Sequence, residues 1–248
     1  MRFDRIADKK RVDFITNEII KSVSPGSLIL DIGCGNGIIS KAIAEAGFQV
    51  IAIDSSDKTI ETAQRENSHP NIQYKIVRAG ELRAEPSKYS AIICSEVLEH
   101  LHEPASLLQI IHKSLKDDGI LVVTVPNGLG PREVFVTRPV QYLQKRNNFL
   151  SRGLSAVKRR LGYTGTTVQS SADDLTHIQF FTVGSFHKLA RQTGFYIEVI
   201  RESNFVEQVF PYSLLTKKIL ALQRLDCAIA ERLPLQFTSG FMSVWKKV

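Results

Sequence analysis

At 248 residues, with 43% apolar and 23% charged residues, the chain is long enough to bury a real core. It has neither the composition of a disordered chain nor the run of about 18 apolar residues that a membrane span needs. The net charge of +7 is local: between Gly128 and Ala172 eight basic residues face the single acid Glu133, so the rest of the chain carries 24 basic and 24 acidic residues and is neutral. Cys34, Cys94 and Cys227 are an odd, widely spaced set that suits reduced thiols rather than a disulfide framework. The opening Met-Arg-Phe-Asp-Arg lacks a signal-peptide apolar region, so a cytoplasmic protein is expected, at most peripheral at a membrane.

In chain order, Val12, Ile15, Ile19, Ile20 and Val23 fall at helical spacing and predict a leading helix over 7–23, stopped by Ser24-Pro25-Gly26. A short apolar run over 27–32 reads as a first strand and turns into Gly33-Cys34-Gly35-Asn36-Gly37, after which 38–46 read as a helix. The next strand, 49–53, ends in Asp54, which lies 19 positions after Gly35. Strand, glycine turn, helix and strand form a nucleotide-type βαβ unit, and an acid about 20 residues beyond the glycines reaches ribose hydroxyls.

Charge separates the competing ligands of this turn. A pyrophosphate cofactor wants a third small residue where Ile38 stands, and a phosphate loop needs a Gly-Lys-Ser/Thr sequence that is absent after Gly37. Asp31, two residues before Gly33, would repel a pyrophosphate and suit an ammonium. The pattern therefore points to a cationic, phosphate-free nucleoside, S-adenosylmethionine, with an NAD-type cofactor and a purely structural turn as the alternatives.

Further along, 56–67 read as a helix capped by Ser55 or Ser56, 72–77 and 91–95 as strands, 105–115 as a helix, Asp117-Asp118-Gly119 as a turn and 120–125 as a fifth strand. After Val125-Pro126-Asn127-Gly128 the alternation is interrupted. Residues 135–149 and 151–161 could form two basic amphipathic helices, with a polar stretch at 164–174. Regular structure resumes with a helix at 182–193 stopped by Gly194, a strand at 195–201, one or two helices within 212–233 and a last strand at 239–247. Strands alternating with helices imply a parallel sheet covered on both faces. The expected layout is one domain over 1–248, with a leading helix in 1–24, a basic helical lid in 128–175 and a second helical insert in 203–236.

The run Leu30-Asp31-Ile32-Gly33-Cys34-Gly35-Asn36-Gly37 followed by Asp54 resembles the class I S-adenosylmethionine-dependent methyltransferases, over nearly all of 23–248. The resemblance implies an α/β, Rossmann-like, seven-stranded, mostly parallel sheet, with the last strand antiparallel between the fifth and sixth. It implies that Asp31 meets the cofactor's amino group directly or through water, and that the backbone of Gly33, Cys34, Gly35, Asn36 and Gly37 meets its methionyl part. Asp54 would take both ribose hydroxyls and Ser55 would lie beside the adenosine, with Ser95 at the end of the fourth strand. Such families often hold the adenine amine with an Asp after the third strand. Ala79 stands there, which leaves the backbone of Ala79 and Gly80, or Glu81, to hold adenine. The product would be S-adenosylhomocysteine.

For the chemistry, Glu96, Glu99 and His100 in Ser95-Glu96-Val97-Leu98-Glu99-His100-Leu101 fall at i, i+3 and i+4, so one helical turn would bring them to a common face. The bland reading is that Glu99 charges the start of the next helix and His100 bonds in the cleft wall. Joined by His177, the set offers two carboxylates and two imidazoles, suitable ligands for a divalent metal. Glu-x-x-Glu-His with a later His resembles the ubiquinone-biosynthesis O-methyltransferases. It also resembles the small-RNA 3′-terminal 2′-O-methyltransferases, whose four metal ligands match Glu96, Glu99, His100 and His177 by position. Without a metal, His100 or His177 could serve as general base.

The basic insert admits three readings: a solvated face, attraction to an anionic substrate or membrane surface, and nucleic-acid binding without a recognisable RNA module. The expectation is an S-adenosylmethionine-dependent O-methyltransferase acting on a small molecule, be it metabolite, saccharide or lipid-linked. An RNA ribose methyltransferase and a cofactor-binding protein without activity are the alternatives.

Overall fold

The computed structural model describes residues 5–77, 81–139, 177–207, 209, 212–216 and 219–248. Its elements are α1 (Ile6–Ser22), β1 (Leu28–Ile32), α2 (Ile38–Glu45), β2 (Gln49–Asp54), α3 (Asp57–Glu66), β3 (Ile72–Ile76), β4 (Tyr89–Ser95), α4 (Pro104–Ser114) and β5 (Leu115–Pro126). They continue with α5 (Val183–Gln192), β6 (Phe195–Glu202), α6 (Tyr212–Thr216), α7 (Leu220–Ala230) and β7 (Gly240–Lys247). The strands form one sheet of order β3-β2-β1-β4-β5-β7-β6. The β3 to β5 pairings are parallel, while β7 runs antiparallel to both β5 and β6. This is the doubly covered α/β sheet expected of the sequence, with the last strand where the resemblance put it.

Period-two alternation sends successive strand residues to opposite faces, and both faces are buried. Leu30, Ile32, Leu121, Val123 and Trp245 pack with Leu108, Ile111 and Phe186 of α4 and α5. Ile29, Val50, Ile120 and Val122 pack on the other face with Ile15 and Ile19 of α1 and with Ile39 and Ile43 of α2. Ile15 and Ile19 are fully buried, and each such side chain contributes roughly 2 kcal/mol to holding α1 on the sheet. Polar ties fix its register: Gln223 of α7 accepts from the Ile6 N–H at 2.8 Å, and Lys10 reaches Glu202 at 3.0 Å and Glu231 at 3.1 Å.

Local signals resolved as their chemistry dictates. Ser56 rather than Ser55 caps α3, accepting from the Thr59 N–H, because Asp54 ends its strand and holds the Ser56 N–H at 3.0 Å. Thr182 and Ser185 form a capping box at the start of α5. The expected turn at Asp117-Asp118-Gly119 lies inside β5: the pairing with β4 jumps from Tyr89↔Leu115 to Ala91↔Ile120, so these residues are a bulge in a continuous strand. The expected helical stretch at 212–233 is two helices, α6 and α7. Of the expected lid, 128–139 is described and 140–175 lies outside the described residues, with most of the helix expected at 135–149 and all of that at 151–161. Among the described residues no helix is long and apolar enough to cross a membrane.

Candidate active site

The carboxyl ends of β1, β2, β4 and β5 face one crevice, where ligands of open α/β sheets bind. At its centre β1 hands over to the glycine turn. Asp31 shares its strand face with Ile29, so it points toward α2 and not into the opposite core. It is 1% exposed, and the Ser40 hydroxyl on α2 donates to its Oδ2 at 2.6 Å. Burial raises its pKa to about 7; the Ser40 bond works against this, and Asp54 adds to it. A buried acid in this state is suited to a cationic partner, which would restore the carboxylate.

The Gly33 and Cys34 N–H groups both donate to the Ile53 carbonyl, at 2.8 and 3.0 Å, which folds the turn over the end of β2. Asp54 then splits its carboxylate: Oδ2 accepts from the Gly35 N–H at 3.1 Å and Oδ1 from the Ser56 N–H at 3.0 Å. The acid expected for ribose is thus tied to the glycine turn by the same group. Gly33, Gly35 and Gly37 all have positive φ. The missing side chains of Gly33 and Gly37 are not where a ligand comes close: a Cβ on Gly33 would sit 2.5 Å from Val97 Cγ2, and one on Gly37 would strike the Tyr74 hydroxyl. These two glycines let protein side chains brace the turn from behind.

Asn36 accepts from the Ile38 N–H through Oδ1 and from Asn67 Nδ2 through its carbonyl. Cys34 is buried, and burial, with Asp31 and Asp54 nearby, pushes its thiol far up, so it is an unreactive wall residue. Ser55 is exposed at the crevice rim. Ser95 is buried, its hydroxyl 2.9 Å from that of Thr124 on β5, which makes it part of the strand pairing. Ala79 and Gly80 lie outside the described residues, and Glu81 is exposed.

At the end of β4 the chain does not continue as one helical turn. Glu96 takes a left-handed conformation (φ 57), and a 3-10 turn covers Leu98–His100. The kink separates the two acids. Glu96 accepts from the Thr124 hydroxyl at 2.9 Å and faces Arg11 of α1 at 3.6 Å. Glu99 turns inward, 1% exposed, and neither carboxylate oxygen has a hydrogen-bond partner among the described residues. Burial, with Glu96 alongside, holds its carboxyl well above the usual range.

His177 arrives from the other side. The Glu99 carbonyl accepts from the Ile178 and Gln179 N–H groups, and the Gln179 side chain bonds the Leu101 and His102 carbonyls, so 177–179 are strapped along the turn. The His100 and His177 rings are 5.2 Å apart, and one ligand atom from each of Glu99, His100 and His177 lies within 4.8 Å of the others. Glu96 is not in that close group.

Further residues outside the expected set complete the surroundings. Glu133, 1% exposed, places Oε1 3.3 Å from His177 Nδ1. Burial raises its carboxyl, but His177, Arg132 and Thr137 outweigh this and leave it below the usual range. Its only sequence signal is that it is the lone acid of the basic insert. Asn127 and Gly128 anchor the chain that leads into the insert: Asn127 Nδ2 donates to the Gln236 and Thr238 carbonyls at 2.9 and 2.7 Å, and the Gly128 N–H donates to the Phe181 carbonyl at 2.7 Å. Arg11, Arg132 and Asn204 line a pocket with Asp8 and Glu96 beyond the turn.

A family profile described as a methyltransferase domain matches residues 6–199. The ubiquinone biosynthesis O-methyltransferase of Leptothrix cholodnii is 35% identical over 106 residues, which cover 41% of this chain and 45% of that protein. Its namesake from Pseudomonas syringae pv. tomato is 27% identical over 188 residues, 72% of this chain and 80% of that one. The chain spans about half the length of most of the curated relatives it matches. Among solved structures, an S-adenosylmethionine dependent methyltransferase from Mesorhizobium loti shares the fold, with a TM-score of 0.58 at 17% identity over 95% of this chain and 98% of that chain.

Proposed function

Because this chain belongs to the methyltransferase-domain family, as an S-adenosylmethionine-dependent enzyme of class I, we propose that the acceptor of its methyl group is a hydroxyl oxygen of a small molecule. The observation that carries this reading is the grouping of Glu99, His100 and His177 at the carboxyl end of β4, beside the glycine turn. The relatives named as O-methyltransferases support it.

Bound S-adenosylmethionine supplies a methyl group on a sulfonium, already an activated leaving group. The protein's part is to hold donor and acceptor in line and to remove the hydroxyl proton. Asp31 and Asp54 serve the donor: one offers a buried acid to an ammonium and the other a carboxylate to ribose. On the acceptor side, Glu133 against His177 Nδ1 leaves Nε2 as the nitrogen that takes the proton. As the alternative to a base at His177, the same Glu99, His100 and His177 would hold a divalent cation, which fits the Glu99 oxygens that make no hydrogen bond among the described residues and would supply a lowered hydroxyl pKa. The basic stretch that begins at Arg132 and Arg138, beside exposed Leu129, Val134 and Phe135, would meet an anionic acceptor or membrane surface.

The test is transfer from methyl-labelled S-adenosylmethionine to hydroxyl acceptors and to short RNA, with and without EDTA and added Mg²⁺ or Mn²⁺. Ether products on small molecules are expected. Methylation on nitrogen or carbon overturns the oxygen assignment, a ribose product moves the acceptor to RNA, and full activity in EDTA removes the cation. Tight S-adenosylhomocysteine binding with no transfer to any acceptor leaves a cofactor-binding protein.

A further inference from the structure

Beyond the catalytic turn lies a pocket walled by α1, the ends of β4 and β5, the exit of β6 and the start of β7. Its polar lining is Asp8, Arg11, Glu96, Arg132 and Asn204, with Ser203 and Ser239 at the edge. Two guanidinium groups and two carboxylates make it neutral overall. Glu96 links it to the chemistry, since that residue follows directly on β4, three positions before Glu99.

The hydrogen bonds already made there leave a specific remainder. Asp8 accepts from Arg11 Nη2 at 2.9 Å, and Glu96 accepts from the Thr124 hydroxyl at 2.9 Å. Asn204 Oδ1 accepts from the Ser203 hydroxyl at 3.0 Å, and the Asn204 carbonyl accepts from the Ser239 N–H at 2.8 Å, so that residue is pinned. Two donors are left over. Arg11 Nε and Asn204 Nδ2 are both buried and have no hydrogen-bond partner among the described residues, and Asn204 as a whole is 3% exposed. Buried donors without acceptors are uncommon in native proteins and mark places where a ligand completes the set.

Resting on the reading of this enzyme as a hydroxyl methyltransferase, we infer that this pocket seats a neutral polyhydroxylated portion of the acceptor, a glycosyl unit, with Asn204 and Arg11 as its specificity-determining residues. A hydroxyl both accepts and donates. Neighbouring hydroxyls on a sugar ring can accept from Arg11 Nε–H and Asn204 Nδ2–H while donating to the Asp8 and Glu96 carboxylates. A carboxylate or phosphate would satisfy the two donors but would face both acids. An ammonium would face both guanidinium groups, and an apolar ring would leave the two donors unsatisfied. The neutral mixture of donors and acceptors fits the polyol.

The inference is tested on the intact chain with S-adenosylhomocysteine bound, by saturation-transfer NMR against methyl α-D-mannoside, methyl α-L-rhamnoside and 4-hydroxybenzoate, and by methyl-transfer kinetics on the same compounds. The glycosides should be saturated and methylated in preference to the benzoate. Asn204→Ala should lower kcat/KM for the glycosides at least tenfold, mainly through KM, while S-adenosylhomocysteine affinity stays within about twofold. Arg11→Lys, which keeps the charge and removes Nε, should act in the same direction. No saturation by either glycoside, or oxygen methylation of the benzoate that Asn204→Ala leaves unchanged, overturns the polyol pocket while leaving hydroxyl transfer intact. Retained S-adenosylhomocysteine binding by each variant shows that the fold has survived.

Discussion

The donor end and the acceptor end of the crevice are built in opposite ways. Around the glycine turn, residues 31–56 supply almost every group, and those groups are tied to one another: Asp54 to the Gly35 and Ser56 N–H groups, Asp31 to Ser40. Around the β4 turn, the groups come from α1, β4, β5, the start of the basic insert and residues 177–179, and several are buried without a hydrogen bond among the described residues, including both oxygens of Glu99 and Nε of Arg11. A self-satisfied turn needs little from its ligand to keep its shape. A cluster with unmet buried polar groups is held in place by the surrounding fold, and its ligand contributes part of the completion.

Substitutions at the two ends should therefore separate cleanly. The largest effect is expected at the acceptor end: His177→Ala should reduce kcat by about 10²–10⁴ in a transfer assay, as loss of a general base does, with S-adenosylhomocysteine affinity nearly unchanged by calorimetry. Weakened cofactor binding of similar size would break the division. Next, Asp54→Ala should weaken cofactor binding by roughly 100-fold, about 2.7 kcal/mol, because it removes both the ribose acceptor and the tie to Gly35. Unchanged affinity would mean that the donor end lies elsewhere.

A third prediction uses the raised acid. With Asp31 titrating at about 7 in the free protein, it is protonated in mild acid, and an ammonium favours the carboxylate. Cofactor affinity should climb as pH rises toward 7, up to tenfold per unit from this group, and level off above, with proton release measurable by calorimetry in two buffers. Because its folded value lies above the unfolded 3.8, its contribution to stability is full below about 4 and is lost as pH rises to 7, at about 1.4 kcal/mol per unit. Asp31→Asn should flatten the binding profile and raise the melting temperature of the free protein at pH 8; a profile that keeps its slope would assign the titration to another group. The smallest effect is expected for Glu133→Gln, which keeps the shape and removes the charge facing His177. It should lower kcat about threefold to tenfold by loosening the orientation of the His177 ring, whereas an unchanged kcat would make Glu133 a packing residue only.

The same contrast explains what could be read from the chain alone. Asp31, the glycines and Asp54 are legible because a βαβ unit brings near neighbours in sequence together with fixed geometry. Even there, the reason for Gly33 and Gly37 was hidden, since Val97 and Tyr74, which occupy the space beside them, come from other elements. His177 could be paired with Glu99 and His100 by residue type. The left-handed kink at Glu96, which sends that carboxylate to Arg11, has no signature in a Glu-x-x-Glu-His string. Asn204 gave no signal, and Arg132 none beyond its place in the basic insert, because their positions depend on how three strand ends and α1 converge.

The position of β7 has a consequence for how the molecule is made. The strand that joins β6 to the rest of the sheet comes after every other described strand in the chain, and it pairs with β5 on one side and β6 on the other. Until Gly240–Lys247 emerge, β6 has no strand to pair with, and the pocket wall formed by Ser239, Gly240 and Asn204 does not exist. The half that forms the glycine turn can assemble during synthesis, while the acceptor half must wait until β7 has been made. A nascent chain would thus acquire its donor site first, and loss of β7 through a premature stop would take away acceptor selection before it took away cofactor binding.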